Sequence, residues 1–209
     1  MKAYHFIAPD LKTRFDSRQA VVGEALSVDE TKLKLCSFGL HASKHPSDAL
    51  SFAQGDQTTL CLVELSGRIL DDDGNKVCAS ERTILRAIDA TRMLQDYAIW
   101  CAEKVLSLFE EKYPDDKRPR AAIETARKYL AGGCSKEDLQ KAADAVADAA
   151  DAARAAAWAA DAAAYAAAYA VAYAAYVANV ADAAALKQVR KEIRGEFQRR
   201  VDDLFKGEK

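Results

Sequence analysis

The alternation of apolar and polar positions changes character near residue 82. Before that point turn-forming residues recur every ten or so positions. The clearest element is TTLCLVELSGRIL (58–70), where Leu60, Leu62 and Val63 sit among β-formers. A period of two lays one face of a strand on a core and turns the other to water. Asp73-Gly74 then marks a tight turn, because glycine accepts positive φ, and KVCAS (76–80) returns as the partner strand. AYHFIA (3–8) and KLKLC (32–36) predict two further strands, and Ser47-Asp48 ahead of ALSFA predicts a short helix with a polar cap.

From about Ser80 the spacing turns helical. Ser80 or Glu81 caps a helix running to Tyr113, with Leu85, Ile88, Met93, Ile99, Trp100, Val105, Leu108 and Phe109 mostly at helical intervals and an interruption near Asp89–Thr91. Pro114 and the PDDKRPR run end it. Pro119 opens the next helix, Arg120–Ala131, which Gly132-Gly133 closes. Ser135 and Asp138 approximate a capping box for the last helical region. Between Lys136 and Lys206 only Gly195 is a helix breaker. A single rod of that length would span about 105 Å. A compact domain of this size has a radius of gyration near about 17 Å. Either the region folds back on itself or the molecule is elongated, and a break near Asn179–Asp182 is the preferred resolution. The expected architecture is α+β: a small, mainly antiparallel domain over 1–81 and an alanine-rich helical bundle over 82–209.

Composition sharpens the second part. Residues 142–185 are overwhelmingly alanine, the residue of highest helix propensity, and so thin a helix lets a neighbouring backbone come close. Bulky positions from Trp158 through Tyr165, Tyr169 and Tyr173 to Phe197, Val201 and Leu204 fall along one stripe. Two readings stand: a core stripe inside the bundle, or a tyrosine-lined face for a partner. Asp144, Asp148 and Asp151 likewise share a face, either solvated or an acidic patch for a basic partner. The tract needs cover from the chain's own Thr83–Tyr113 helices or from a second copy, so a monomer and a homodimer are both expected states. Residues 162–181 are uncharged over the length that crosses a bilayer, but alanine is barely apolar, the flanks are Asp161 and Asp182, and Asn179 interrupts the run. A bundle helix is the better reading, with no membrane partner.

Over 209 residues the net charge is −2, which exerts no global pull on nucleic acid. The basic stretch 187–200 interleaves with Glu192 and Glu196 and can pair within its own helix. Five scattered cysteines without a C-x-x-C pair read as buried, reduced thiols of a cytosolic protein, and the N-terminus lacks the apolar run of a secretory signal. His41 and His45 lie four apart beside Cys36, yet in a loop, where that spacing does not converge on a metal. His41 as a general base would need a nucleophile and an orienting acid, and none is evident. No catalytic residue, metal or cofactor is assigned; an enzyme of unknown class using His41 is the remaining catalytic reading.

Two resemblances add context. The opening MKAY, KLCSFGLHASKHPSDAL (34–50), VELSGRI (63–69) and KVCAS (76–80) resemble a small domain of unknown function that recurs in phage and bacterial proteins. Its core is C-x-x-G-(L/F)-H-A, here Cys36, Gly39, Leu40, His41 and Ala42; many members carry a second cysteine where this chain has Ser43. Residues 96–186 resemble an immunity-protein family associated with bacterial toxin systems, through a Trp/Cys-bearing helix, then P-D-D-x-R-P-R-x-A-I-E-x-A-R at 114–127, then alanine-rich helices. Within that run Asp115 or Asp116 is placed to pair with Arg118 or Arg120.

That resemblance implies a non-catalytic inhibitor that neutralises a macromolecule, a toxin or a CRISPR-type defence effector. It would act in the bacterial cytoplasm, from a chromosomal or a phage-borne gene. The alternative is a sponge for a nucleotide signal, with His41, Arg118 and Arg120 facing phosphate. The candidate binding residues are His41, Ser43, Arg118, Arg120, Tyr165, Tyr169 and Tyr173.

Overall fold

The computed structural model describes residues 1–14, 16–53, 57–71, 74–147 and 183–207. An antiparallel sheet occupies the N-terminal part and helices follow it, so the chain is α+β. It divides into two compact units, Met1–Ala90 with Gln198–Lys209, and Thr91–Phe197.

In the first unit β1 (Lys2–Ile7), β4 (Thr59–Asp71), β5 (Val77–Asp89) and β2 (Ala25–Ser27) lie in the order β1-β4-β5-β2. The short β3 (Leu40–Ala42) also pairs with β5, and the pairings between these strands are all antiparallel. The alternation that predicted β4 is real: Cys61, Val63 and Leu65 join Ala3, Ile7, Val77, Ala79 and Ile84 in one buried layer. The β4–β5 register shifts twice. Between Ser66 and Ile69, Gly67 adopts φ +68°, where an added Cβ would overlap Ser80 Oγ, and the same hydroxyl accepts from Arg68 N–H at 2.9 Å. The other shift, at Leu62/Val63, leaves Leu85 of β5 without a partner in the ladder.

Three local expectations change. The helix expected from Ser80 or Glu81 does not start there, because β5 runs on to Asp89 and the helix begins at Thr91. KLKLC is not a strand: Glu30–Lys32 is a 3₁₀ turn whose cap Asp29 accepts from Thr31 N–H at 3.0 Å, and Lys34 pairs only with Phe38. The short helix α1 spans Pro46–Leu50, one residue ahead of the expected Ser47 cap, with His45 at its N-cap making no side-chain capping bond. Asp73 of the expected tight turn lies outside the described residues.

The second unit contains α2 (Thr91–Lys112), α3 (Arg118–Leu130), α4 (Lys136–Ala147) and the first part of α5 (Ala183–Gly207). Ile99, Ala102 and Leu106 of α2 meet Ile123 and Ala126 of α3 and Leu139 of α4 in one core, with alanines where the helices approach. Tyr97 packs on Phe197 with ring centroids 4.8 Å apart and donates its hydroxyl to the Ile193 carbonyl at 3.0 Å, which fixes α5 against α2. The expected helix punctuation holds. Pro119 sits in the first turn of α3. At its end Gly132 has φ +74°, with Gly133 N–H on Lys128 O and Gly132 N–H on Tyr129 O, a Schellman closure. Ser135 and Asp138 exchange capping bonds at 2.9–3.1 Å. Asp144 is exposed and accepts from Gln140. Asp148, Asp151, the uncharged run 162–181, the expected break near Asn179 and the tyrosine stripe at Tyr165, Tyr169 and Tyr173 lie outside the described residues.

Candidate functional site

Two constellations concentrate polar chemistry, one in each unit. The first is the Cys36–Ala42 run, a tight turn that feeds β3. Lys34 and Phe38 exchange backbone hydrogen bonds, leaving Cys36 at the exposed tip with φ +63°. Gly39 has φ +135°, and a Cβ there would overlap Cys78 Sγ and Leu33 Cδ1, so no other residue fits. His41 pairs with Cys78 across the sheet, and its Nε2 accepts the Cys36 N–H at 3.1 Å. The lone pair that a general base would use is therefore engaged in the turn. Burial lowers the His41 pKa; a hydrogen bond to the Gly39 backbone opposes this, and the charges of Lys76 and Arg82 lower it further.

Beside it lies a buried cation. Arg82 is only 4% exposed, with one terminal nitrogen donating to the His41 carbonyl at 2.7 Å. Its Nε, like the equally buried Ser43 Oγ, has no hydrogen-bond partner among the described residues. Burial brings the guanidinium down to about 10 from 12.5. His5 is pushed well below its usual range by burial first, then by Arg82 and His41. Burial holds the Cys61 thiol up at about 12 and Cys78 at about 11. Among the described residues no group of three or more His, Cys, Asp or Glu side chains could hold a metal ion. None of the five cysteines is in a disulfide, and Cys36, exposed, and Cys134, half-buried, depart from the expectation that all are buried.

The second constellation is the α2–α3 corner, where each arginine of the 114–127 run meets a carboxylate. Arg118 grips Asp116 through two side-chain bonds of 2.9 and 2.7 Å, and its N–H also rests on that carboxylate at 3.1 Å. These bonds pull the Asp116 pKa down to about 2. Arg120 pairs not with Asp115 or Asp116 but with Glu110 of α2, at 2.8 and 2.6 Å, which lowers the Glu110 pKa. Arg127 spans Glu103 at 2.9 and 2.7 Å and Asp96 at 2.6 Å. Bidentate forks of this kind set orientation as well as energy. The motif therefore clamps α3 to α2. Beside the clamp runs a groove of about 360 Å³, floored by Leu106 and Ile123 and rimmed by Glu103, Glu124, Arg127 and Lys128.

Of the sequence-selected residues, His41 and Ser43 lie at β3 in the first unit, and Arg118 and Arg120 share α3 in the second. Arg82, His5 and Lys76, and the carboxylates Asp96, Glu103 and Glu110, were not singled out. The arginines of α3 at 120 and 127 and carboxylates at 103 and 110, all at whole-turn spacings, were the available sign of a helix-to-helix ladder. Nothing in the sequence marks Arg82 as buried.

Residues 87–204 match the family described as Imm-5 like putative immunity protein, a stretch longer than half the chain and inclusive of the whole clamped corner, and the chain belongs to that family. Residues 1–96 match a domain of unknown function, DUF7666, which contains the Cys36 turn. No curated protein and no solved structure matches the chain. Among the described residues no helix is long and apolar enough to cross a membrane.

Proposed function

We propose that this chain is a non-catalytic immunity-type protein that neutralises a protein toxin in the cytoplasm by forming a stoichiometric complex with it. The observation that carries the reading is the α2–α3 corner inside the immunity-family match: two arginine–carboxylate forks, Arg120 on Glu110 and Arg127 on Glu103, tie α3 to α2 beside an open, charge-rimmed groove. A preorganised helical face of this kind loses little entropy on binding. The toxin docks along the outer face of α3, where Glu124 and Lys128 rim the groove. Tyr165, Tyr169 and Tyr173 are further candidates for contact with the toxin, on the strength of their residue type alone.

A nucleotide-sponge role is less well supported. Arg118 and Arg120 each already hold a carboxylate, so a phosphate would have to displace an ion pair before gaining a donor. A phage anti-defence role would use the same binding surface against a different effector.

The test is titration calorimetry of the full chain against the toxin encoded beside its gene, with toxin activity read in parallel. A one-to-one complex that abolishes activity, weakened at least about tenfold by Glu124→Lys with Lys128→Glu, is the expected result. Failure to form any stoichiometric complex, or inactivation of toxin by substoichiometric chain with a covalent change in the toxin, overturns it.

A further inference from the structure

The Cys36 turn gathers side chains that toxin binding does not use. Cys36 is exposed at the turn's tip, and its Sγ lies 3.6 Å from Lys76 Nζ. Lys76 is itself steadied over the Phe52 ring, with its ammonium 4.4 Å from the centroid. Beneath the turn lies a second thiol. Cys78 is buried, its Sγ donates to the Phe38 carbonyl at 3.4 Å, and the absence of a side chain at Gly39 is what lets that sulfur sit against the turn backbone. His41 completes the cluster by pairing with Cys78 across the sheet while holding the Cys36 amide. The two thiols are near enough that Cys36 adds to the rise in the Cys78 pKa that burial begins.

These positions divide the labour between the sulfurs. The exposed sulfur of Cys36 has the access that attack on an electrophile in solution requires. A buried neutral thiol next to it is protected from direct attack but can resolve an oxidised neighbour. Cys61 and Cys101 are buried and Cys134 is half-buried, so Cys36 is the thiol that an oxidant in solution meets first.

We propose that Cys36 and Cys78 are a peroxide-responsive thiol pair that closes to an intramolecular disulfide, with Cys36 the attacking sulfur and Cys78 the resolving one. In the first step the Cys36 thiolate attacks one oxygen of hydrogen peroxide. An S–O bond forms, the O–O bond breaks, and hydroxide leaves to be protonated to water. In the second step the Cys78 sulfur attacks the sulfenic sulfur, an S–S bond replaces the S–O bond, and the departing hydroxide takes the Cys78 proton as a second water. Two thiols lose two electrons, and peroxide gains them. The exposed tip moves to bring the Cβ atoms within bonding reach, because Cys78 is anchored in β5. The Cys78 hydrogen bond to Phe38 is lost in the process.

The experiment uses the reduced full chain. A brief maleimide pulse, read by peptide mass mapping, labels the exposed Cys36 ahead of the half-buried Cys134. Hydrogen peroxide then yields a monomer lighter by two hydrogens, whose non-reducing digest joins the Cys36 peptide to the Cys78 peptide. In Cys78→Ala, or in the milder Cys78→Ser, oxidised Cys36 stops at a sulfenic acid that dimedone captures. Cys36→Gly suits the positive φ, keeps the fold and forms no disulfide. The proposal is overturned if peroxide couples any other pair, links two chains, or carries wild-type Cys36 on to sulfinic acid with Cys78 untouched. None of these readouts depends on toxin binding.

Discussion

Arg82→Met separates two consequences of burying a cation. Removal of a buried ion-pair partner ordinarily costs about 3–5 kcal/mol, because the remaining charge is stranded. Here, among the described residues, no carboxylate is hydrogen-bonded to the guanidinium, whose acceptor is the His41 carbonyl. Desolvation drops its pKa from 12.5 to about 10. At about 1.4 kcal/mol per pH unit, the methionine variant is relieved of about 3 kcal/mol. Against this, the His41 carbonyl loses a charged donor, a loss of about 1–3 kcal/mol. The two nearly cancel, so urea unfolding near pH 8 should shift stability by no more than about 2 kcal/mol in either direction.

The acid limb should move more clearly. The His5 pKa in the folded chain lies below its ordinary 6.5, partly through Arg82. As pH falls the unfolded chain protonates first, so stability is full above about 6.5 and declines below it toward the folded value. Without Arg82 the folded pKa rises and the decline is shallower. Melting followed by circular dichroism from about pH 4 to pH 8 reads both effects. A loss of more than about 3 kcal/mol at pH 8, or an unchanged acid limb, would refute this account of Arg82.

Gly39→Ala meets both a forbidden φ and overlap with Cys78 and Leu33, and should lower stability by about 3 kcal/mol in urea denaturation. Phe197→Ala empties the fully buried seat against Tyr97 and should cost about 3–5 kcal/mol, visible as a large fall in melting temperature. Arg127→Ala breaks the partly exposed fork to Glu103 and Asp96; about 1 kcal/mol is expected at low salt and less at high salt, and equal losses in both would argue for packing over charge.

The local punctuation of this chain was readable because turn and cap chemistry is local: Pro119, Gly132-Gly133 and Ser135 with Asp138 each act within a few residues. The misreading at 82–89 has an identifiable cause. The helical reading there rests on Leu85 and Ile88, three apart; in the strand Leu85 is the extra residue at a register shift, so it breaks the alternation of two and leaves a helix-like interval. A bulge is set by the partner strand, which a linear pattern does not contain. For the same reason Asp115 and Asp116, the nearest acids in sequence, stand as partners for Arg120, whereas its fork reaches back ten residues to Glu110 near the end of α2. His41 looked like spare chemistry because its engagement with the Cys36 amide depends on the backbone turning through positive φ.

The last helix has a consequence for synthesis. Gln198–Lys209 belongs with Met1–Ala90, where Val201 is fully buried and Arg86 both donates to the Phe205 carbonyl at 2.5 Å and stacks over its ring. The sheet leaves the ribosome before Thr91–Phe197 is made, yet the residues that finish its unit emerge only after it. Throughout the intervening translation one part of its surface must wait uncovered, at synthesis rates of about 5–20 residues per second for several seconds. Nascent chains halted before Gln198 should therefore be open to protease within β5 and close once Gln198–Lys209 has emerged, so that the unit holding the sheet is finished only after the whole intervening helical unit has been made.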